Sequence, residues 1–105
     1  MTTKEELDDE LQFMYLDVKK LIEVKSNEYI PGDEDALANI RRIAARTNET
    51  PARICLILAA KHYDSLLHNF EHYNYDTVVS KVDDIVAYLV HVRCFKIEQE
   101  KENGR

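Results

Sequence analysis

Five apolar side chains near the C-terminal end, Val78, Val82, Ile85, Leu89 and Val92, follow one another at spacings of 4, 3, 4 and 3. Leu7, Leu11, Met14, Val18 and Leu21 repeat the same rhythm near the start. Alternating steps of three and four residues keep side chains on one side of an α-helix, whose turn takes about 3.6 residues. Each set is therefore expected to bury one helical seam. Only two glycines and two prolines interrupt the 105 residues, too few for the frequent turns of a β-sandwich or barrel. The expected fold is all-α: a compact four-helix bundle in a single domain over residues 1–105, with a polar tail over 97–105.

The four helices can be delimited by their punctuation. The first spans 3–25, opened by Thr3 with Glu6 three residues on, the spacing of a capping box. Phe13, Leu16, Ile22 and Val24 widen its apolar surface beyond one stripe, either as a broad core helix or as a helix with a second packing partner. Pro31-Gly32 breaks the chain, and Asp33 is the expected cap of a second helix over 34–46. Thr50 followed by Pro51 marks the start of a third helix, 51–71, because proline at the first helical position loses no hydrogen bond. Its segment Ile54–Ala60 is apolar all round, which predicts burial on most sides. Asp76 is the expected cap of the last helix, 77 to about 100, beyond which EQEKENGR should fray.

Charge bounds the partners. Fourteen basic against twenty acidic residues give a net charge of −6, which opposes general nucleic-acid binding through phosphate neutralisation. One nucleotide in a local basic pocket remains compatible with it. No stretch approaches the ~18 consecutive apolar residues of a membrane span, and MTTKEELDDELQ is acidic without an apolar signal core. A cytoplasmic setting is expected, with no membrane partner. Cys55 and Cys94 both fall on apolar helical stretches, as buried thiols do.

Two Lys-x-x-Asp pairs carry charge into this apolar setting. Lys61 and Asp64 follow directly after Ile54–Ala60, and Lys81 and Asp84 stand three apart on the last helix. Residues three apart share a helical face, so antiparallel packing could bring both pairs to one pocket between the third and fourth helices. A plainer reading is two salt bridges at a partly polar helix contact, each contributing about 0–1 kcal/mol. Lys25, Glu28 and Tyr29 lie where the first helix is expected to run out, a place where binding groups are often held. Asn39, Arg41, Arg42 and Arg46 flank the buried face of the second helix, where the arginines also suit a solvated end matched to the helix dipole. His68 and His72 are four apart but lack a third ligand at a diagnostic spacing, so they fit an exposed helix end.

The order Lys25-x-x-Glu28-Tyr29, then DALANI (35–40), LAAKHYDSL (58–66) and DDIVAYLV (83–90) resembles a group of small helical bacteriophage proteins. These show K-x-x-D-Y, DPLANF, a KH-x-D-S helix and a final D-I-x-N-Y-L helix, and look related to nucleotide-modification-associated domains. More distantly they are similar to all-α nucleoside triphosphate pyrophosphohydrolases of the MazG and dimeric dUTPase type. The resemblance covers residues 20–95, about three quarters of the chain. In those hydrolases an E-x-x-E pair and an E-x-x-D pair hold Mg²⁺. Aligned by their apolar runs, Lys61 and Asp64 stand at the first pair, and Lys81 and Asp84 at the second. One carboxylate of each pair is then a lysine, which leaves Asp64 and Asp84 as the implied metal ligands and weakens the case for hydrolysis.

Lysine can instead neutralise a phosphate directly, as a point charge with three donors. Lys25, Lys61 and Lys81, with Tyr29 or Tyr88 stacking on a base, would make a nucleotide or phosphate site without an obligatory metal. The resemblance thus implies a phage-type nucleotide-handling protein working in the host cytoplasm. The competing expectation is a non-enzymatic helical protein that binds and modulates a host protein through its heptad-like helices. Either would suit a homo-oligomer, since a chain this short has little core with which to cover a broad first helix.

Overall fold

The computed structural model describes residues 1–29 and 35–104, and the side chains of all of these except 26–29. Among the described residues there are four helices and no strand: α1 (Lys4–Tyr29), α2 (Ala38–Thr47), α3 (Pro51–Asn69) and α4 (Tyr75–Glu102). No helix is long and apolar enough to cross a membrane. The all-α bundle anticipated from the apolar rhythm is the fold observed. α3 and α4 form an antiparallel hairpin and share the largest helix contact; α1 packs on α4, and α2 on α3.

Local chemistry explains where each helix begins and ends. Thr3 Oγ1 accepts the Glu6 N–H at 3.1 Å while Glu6 Oε1 accepts the Thr3 N–H at 3.4 Å, closing the expected capping box. Thr50 accepts the Arg53 N–H at 3.3 Å, and Pro51 occupies the first turn of α3. α2 stops at Asn48, whose left-handed φ of 54° is a conformation asparagine tolerates better than most residues. Between α3 and α4 the Ser65 and Tyr73 hydroxyls hydrogen-bond at 2.7 Å and brace the turn.

Several boundaries differ from expectation. α1 continues to Tyr29, so Lys25 is a helical residue rather than part of a loop. α2 begins at Ala38, without a side-chain cap of its own. Asp33, its expected cap, lies outside the described residues. α4 is capped by Asn74, which accepts the Thr77 N–H at 2.9 Å, and Asp76 merely sits in the first turn. The polar stretch after Ile97 is helical to Glu102, because Glu98 is held by Arg41 at 2.8 Å and Lys96 reaches Glu100 at 3.5 Å.

The core lies where α2 crosses the α3–α4 hairpin: Leu37, Ile40, Ala44, Ile54, Cys55 and Phe95 are buried in one cluster. Cys55 is fully enclosed, whereas Cys94 is half-buried at the cluster's edge. The two seams fare differently from expectation. On α1, Val18 is buried but Leu7 and Leu11 are 64% and 59% exposed, so the seam is covered only in its C-terminal half. On α4 the buried positions are Asp83, Ala87 and Phe95, while Val82 and Leu89 are exposed. α4 serves two neighbours, and the strip facing both is rotated away from the apolar seam. Leu56 and Ile57 of α3 also face solvent, against the expected all-round burial of that segment.

Candidate functional site

A cavity of about 490 Å³ opens between α1, α2 and α4, with Leu58 of α3 at its base. Its volume lies in the range of small-molecule sites, roughly 300–1,000 Å³. Three helices supply it at helical spacing. α1 presents Leu21, Ile22 and Lys25, and α2 presents Asn39, Arg42, Ile43 and Arg46. α4 presents Asp84, Ala87, Tyr88 and His91. The helices thus contribute different chemistry: cations come from α1 and α2, aromatic rings and one carboxylate from α4, and apolar groups from α1, α2, α3 and α4 alike.

Tyr88 is the centre of the aromatic side. Its ring stacks on His62 with centroids 5.9 Å apart and planes at 18°, and it meets His91 edge-on at 6.3 Å. Asp84 stands between Lys25 Nζ at 3.8 Å and His62 Nε2 at 3.9 Å. Both separations exceed a direct hydrogen bond, so Asp84 is neutralised without being tightly gripped. Burial is the main reason that His62 is held below its ordinary pKa; Asp84 pulls it back up, while Lys81, Lys61 and Lys25 push it down. Burial alone lowers His91. Both imidazoles are thus neutral at pH 7, and the Nδ1 atom of each is buried without a hydrogen-bond partner among the described residues.

The residues singled out in sequence divide cleanly in space. Lys25, Asn39, Asp84 and Tyr88 line the cavity together. Glu28 and Tyr29 have side chains outside the described residues. Lys81 is half-buried beside the cavity, near enough for its charge to act on His62, but it does not line the wall. Lys61 is exposed. Asp64 is 71% exposed and holds His68 at 3.2 Å, so it does not face Asp84. The reason is rotation. Cys55 and Ala59 are buried on α3, and Asp64, nine and five residues on, stands about 180° and 140° around the helix from them. The cleft accordingly lies mainly between α1, α2 and α4, rather than between α3 and α4.

Arg42, Arg46, His62 and His91 belong to the site or its wall and were not singled out for it. Arg42 and Arg46 stand three and seven residues after Asn39 on one helical face, a spacing that could have joined them to it. His62 directly follows Lys61 and points the other way. As for the Mg²⁺ that the resemblance implies, no three His, Cys, Asp or Glu side chains among the described residues gather to hold a metal ion. With Asp64 turned outward, the donors present do not fit a carboxylate cage.

Compared with protein-family models, curated proteins and solved structures, the chain finds no match.

Proposed function

We propose that this cavity binds a small phosphate-bearing ligand of the nucleotide class. The observation that carries the reading is the make-up of one cavity wall: Lys25, Arg42 and Arg46 from α1 and α2 together with Tyr88 and His91 from α4. Cationic side chains neutralise phosphate oxygens, and arginine can do so with two parallel hydrogen bonds. A planar base is suited to the aromatic side, since stacking is worth about 1–3 kcal/mol per base. Asn39 adds an amide able to donate to and accept from a base edge. The loose Lys25–Asp84 pair can give up its lysine to a phosphate at a cost of about 0–1 kcal/mol. The resemblance of the Lys25, Asn39, Asp84 and Tyr88 segments to nucleotide-handling helical proteins supports the same reading.

A thermal-shift panel of nucleosides and their mono-, di- and triphosphates, with and without Mg²⁺, tests it. A ligand that binds the native state alone stabilises by about 2.7 kcal/mol at a hundredfold excess over Kd. The expected result is a shift with phosphorylated nucleosides, absent with the bare nucleoside and lost in Lys25→Ala and Arg46→Ala. A shift that required Mg²⁺ would assign Asp84 to a ligand-borne metal and revive hydrolysis. No shift with any nucleotide at millimolar concentration would overturn the reading. The exposed apolar start of α1, with Leu7, Leu11, Phe13 and Leu16 all more than half exposed, would then favour a helical protein that docks a host protein.

A further inference from the structure

A second groove, of about 390 Å³, lies between α1 and the start of α4. Four aspartates line it, Asp17 from α1 and Asp76, Asp83 and Asp84 from α4, with Lys20 the cation among them. Leu21, Val24 and Val79 supply apolar surface. Only Leu21 and Asp84 are shared with the cavity described above. Three of the four carboxylates are readily accounted for. Asp17 is exposed to water. Asp76 sits in the first turn of α4, where the helix dipole favours a negative charge. Asp84 lies between Lys25 and His62. None of these reasons applies to Asp83. It is only 9% exposed, yet no hydrogen bond or ion pair holds its side chain among the described residues. Nor is its carboxylate sealed in. The fully enclosed side-chain atoms left without a partner among the described residues are Nδ1 of His62 and of His91, so the Asp83 oxygens open on the groove that the residue lines. A buried charge is costly unless it is paired. Burial, then the charges of Asp17 and Asp84, accordingly raise the Asp83 pKa. A cation seated in the groove would supply the missing partner.

We propose that this groove binds a linear aliphatic polyamine. The spread of the carboxylates selects that class of cation over a bare metal ion. No three His, Cys, Asp or Glu side chains among the described residues gather around one point to hold a metal. Asp76 and Asp83 instead stand seven residues apart on α4, roughly 10 Å at 1.5 Å per residue. A ligand that answers both must be extended, with cationic ends joined by a chain. One ammonium group, with three donors, serves Asp83 and Asp17; a second serves Asp76. The methylenes between them lie on Leu21, Val24 and Val79, as the stem of a lysine lies on apolar surface below its charged head. Lys20 opposes the ligand's charge and moderates its affinity.

Calorimetric titration of the whole protein with spermidine in about 0.1 M salt, where distant charges are screened, tests the site, with amide NMR to locate it. Saturable one-to-one binding is expected, with shifts centred on Asp17–Val24 and Asp76–Asp84. The monoamine 1-aminobutane should bind at least about tenfold more weakly, because it answers one end of the groove only. Asp83→Asn should fold, since it removes an unpaired buried charge, and should weaken spermidine binding by about tenfold or more. Asp17→Asn, at an exposed position, should weaken it about threefold, and Lys20→Gln should strengthen it by a similar factor. Glu10→Gln removes an equal charge from an exposed position of α1 outside the groove and should leave binding unchanged. No binding at millimolar spermidine, or equal weakening by Glu10→Gln and Asp83→Asn, would overturn the site. Displacement of spermidine by an equal concentration of Mg²⁺, or 1-aminobutane binding as tightly as spermidine, would overturn the assignment to an extended polyamine.

Discussion

Arg41 joins the fold to the candidate site, and its removal should loosen the seating of α2. Its Nε donates to Asp35 Oδ2 at 2.7 Å, its Nη2 donates to Glu98 Oε2 at 2.8 Å, and its guanidinium lies 5.2 Å from the centroid of Phe95. Asp35 precedes α2, which has no side-chain cap, and also accepts the Leu37 N–H at 3.1 Å. Arg41 therefore stands in for a cap and ties the start of α2 to α4. The side chains of Arg41, Asp35 and Glu98 are each 38–39% exposed, so solvent screening limits each pair to about 0–1 kcal/mol. The cation–ring contact adds about 0.5–1 kcal/mol. Arg41→Ala should thus destabilise by roughly 1–2 kcal/mol, a fall in Tm of roughly 5–10 °C in a chain this size.

Two controls separate the causes. Arg41→Lys keeps the charge but loses the planar fork, and should fall between wild type and alanine. The hydrogen bond from Arg41 is the leading reason that Asp35 is held below the usual carboxylate pKa. That contribution is present above the ordinary value and lost as pH falls through the lowered one, so the gap between wild type and Arg41→Ala should narrow in acid. Because α2 carries Asn39, Arg42 and Arg46, the variant should also weaken any nucleotide-induced shift. Differential scanning calorimetry at pH 7 and at pH 3, with the ligand panel, reads all three. A change in Tm below about 1 °C, with ligand response intact, would refute the view that Arg41 seats α2.

Asp83 is buried beside α1, and desolvation, then Asp17 and Asp84, raise its pKa. Its charge therefore weighs against the native state above the raised value and ceases to do so below the ordinary one. Asp83→Asn should stabilise by about 1 kcal/mol at pH 7, with the gain closing toward pH 4 in denaturant titrations. In an NMR titration His62 and His91 should both show midpoints below the usual histidine value of about 6.5; a midpoint at or above it for either ring would contradict their burial. Burial pushes the Cys55 thiol up to about 11, so a thiol reagent at pH 8 should modify Cys94 alone in the native protein and both cysteines in denaturant.

The helices were legible because their signals are local. Thr3 with Glu6, and Thr50 with Pro51, act within one turn, so spacing alone reveals them. Asn74 was missed in favour of Asp76 because both are good caps two residues apart, and only the path of the chain decides which side chain faces the free N–H groups. The candidate site was half legible for a related reason. A spacing of three places Lys and Asp on one face, but says nothing of which way that face points. On α4, Asp84 points into the cavity with Tyr88 four residues on; on α3, the equivalent Lys61 and Asp64 point out, and the neighbouring His62 takes the inner position.

That outward turn also explains why apolar content misled on burial. A segment apolar all round was expected to be covered on most sides, yet one chain of this length has only α2 and α4 to lay against α3, and they cover about half of its circumference. What remains, Leu56, Ala60, Tyr63, Leu67 and Phe70, keeps a strict four-three rhythm that solvent exposure alone would not require. Random exposed apolar residues scatter around a helix; these do not. Periodicity thus marks one face of a helix, and only the structure shows whether that face is covered.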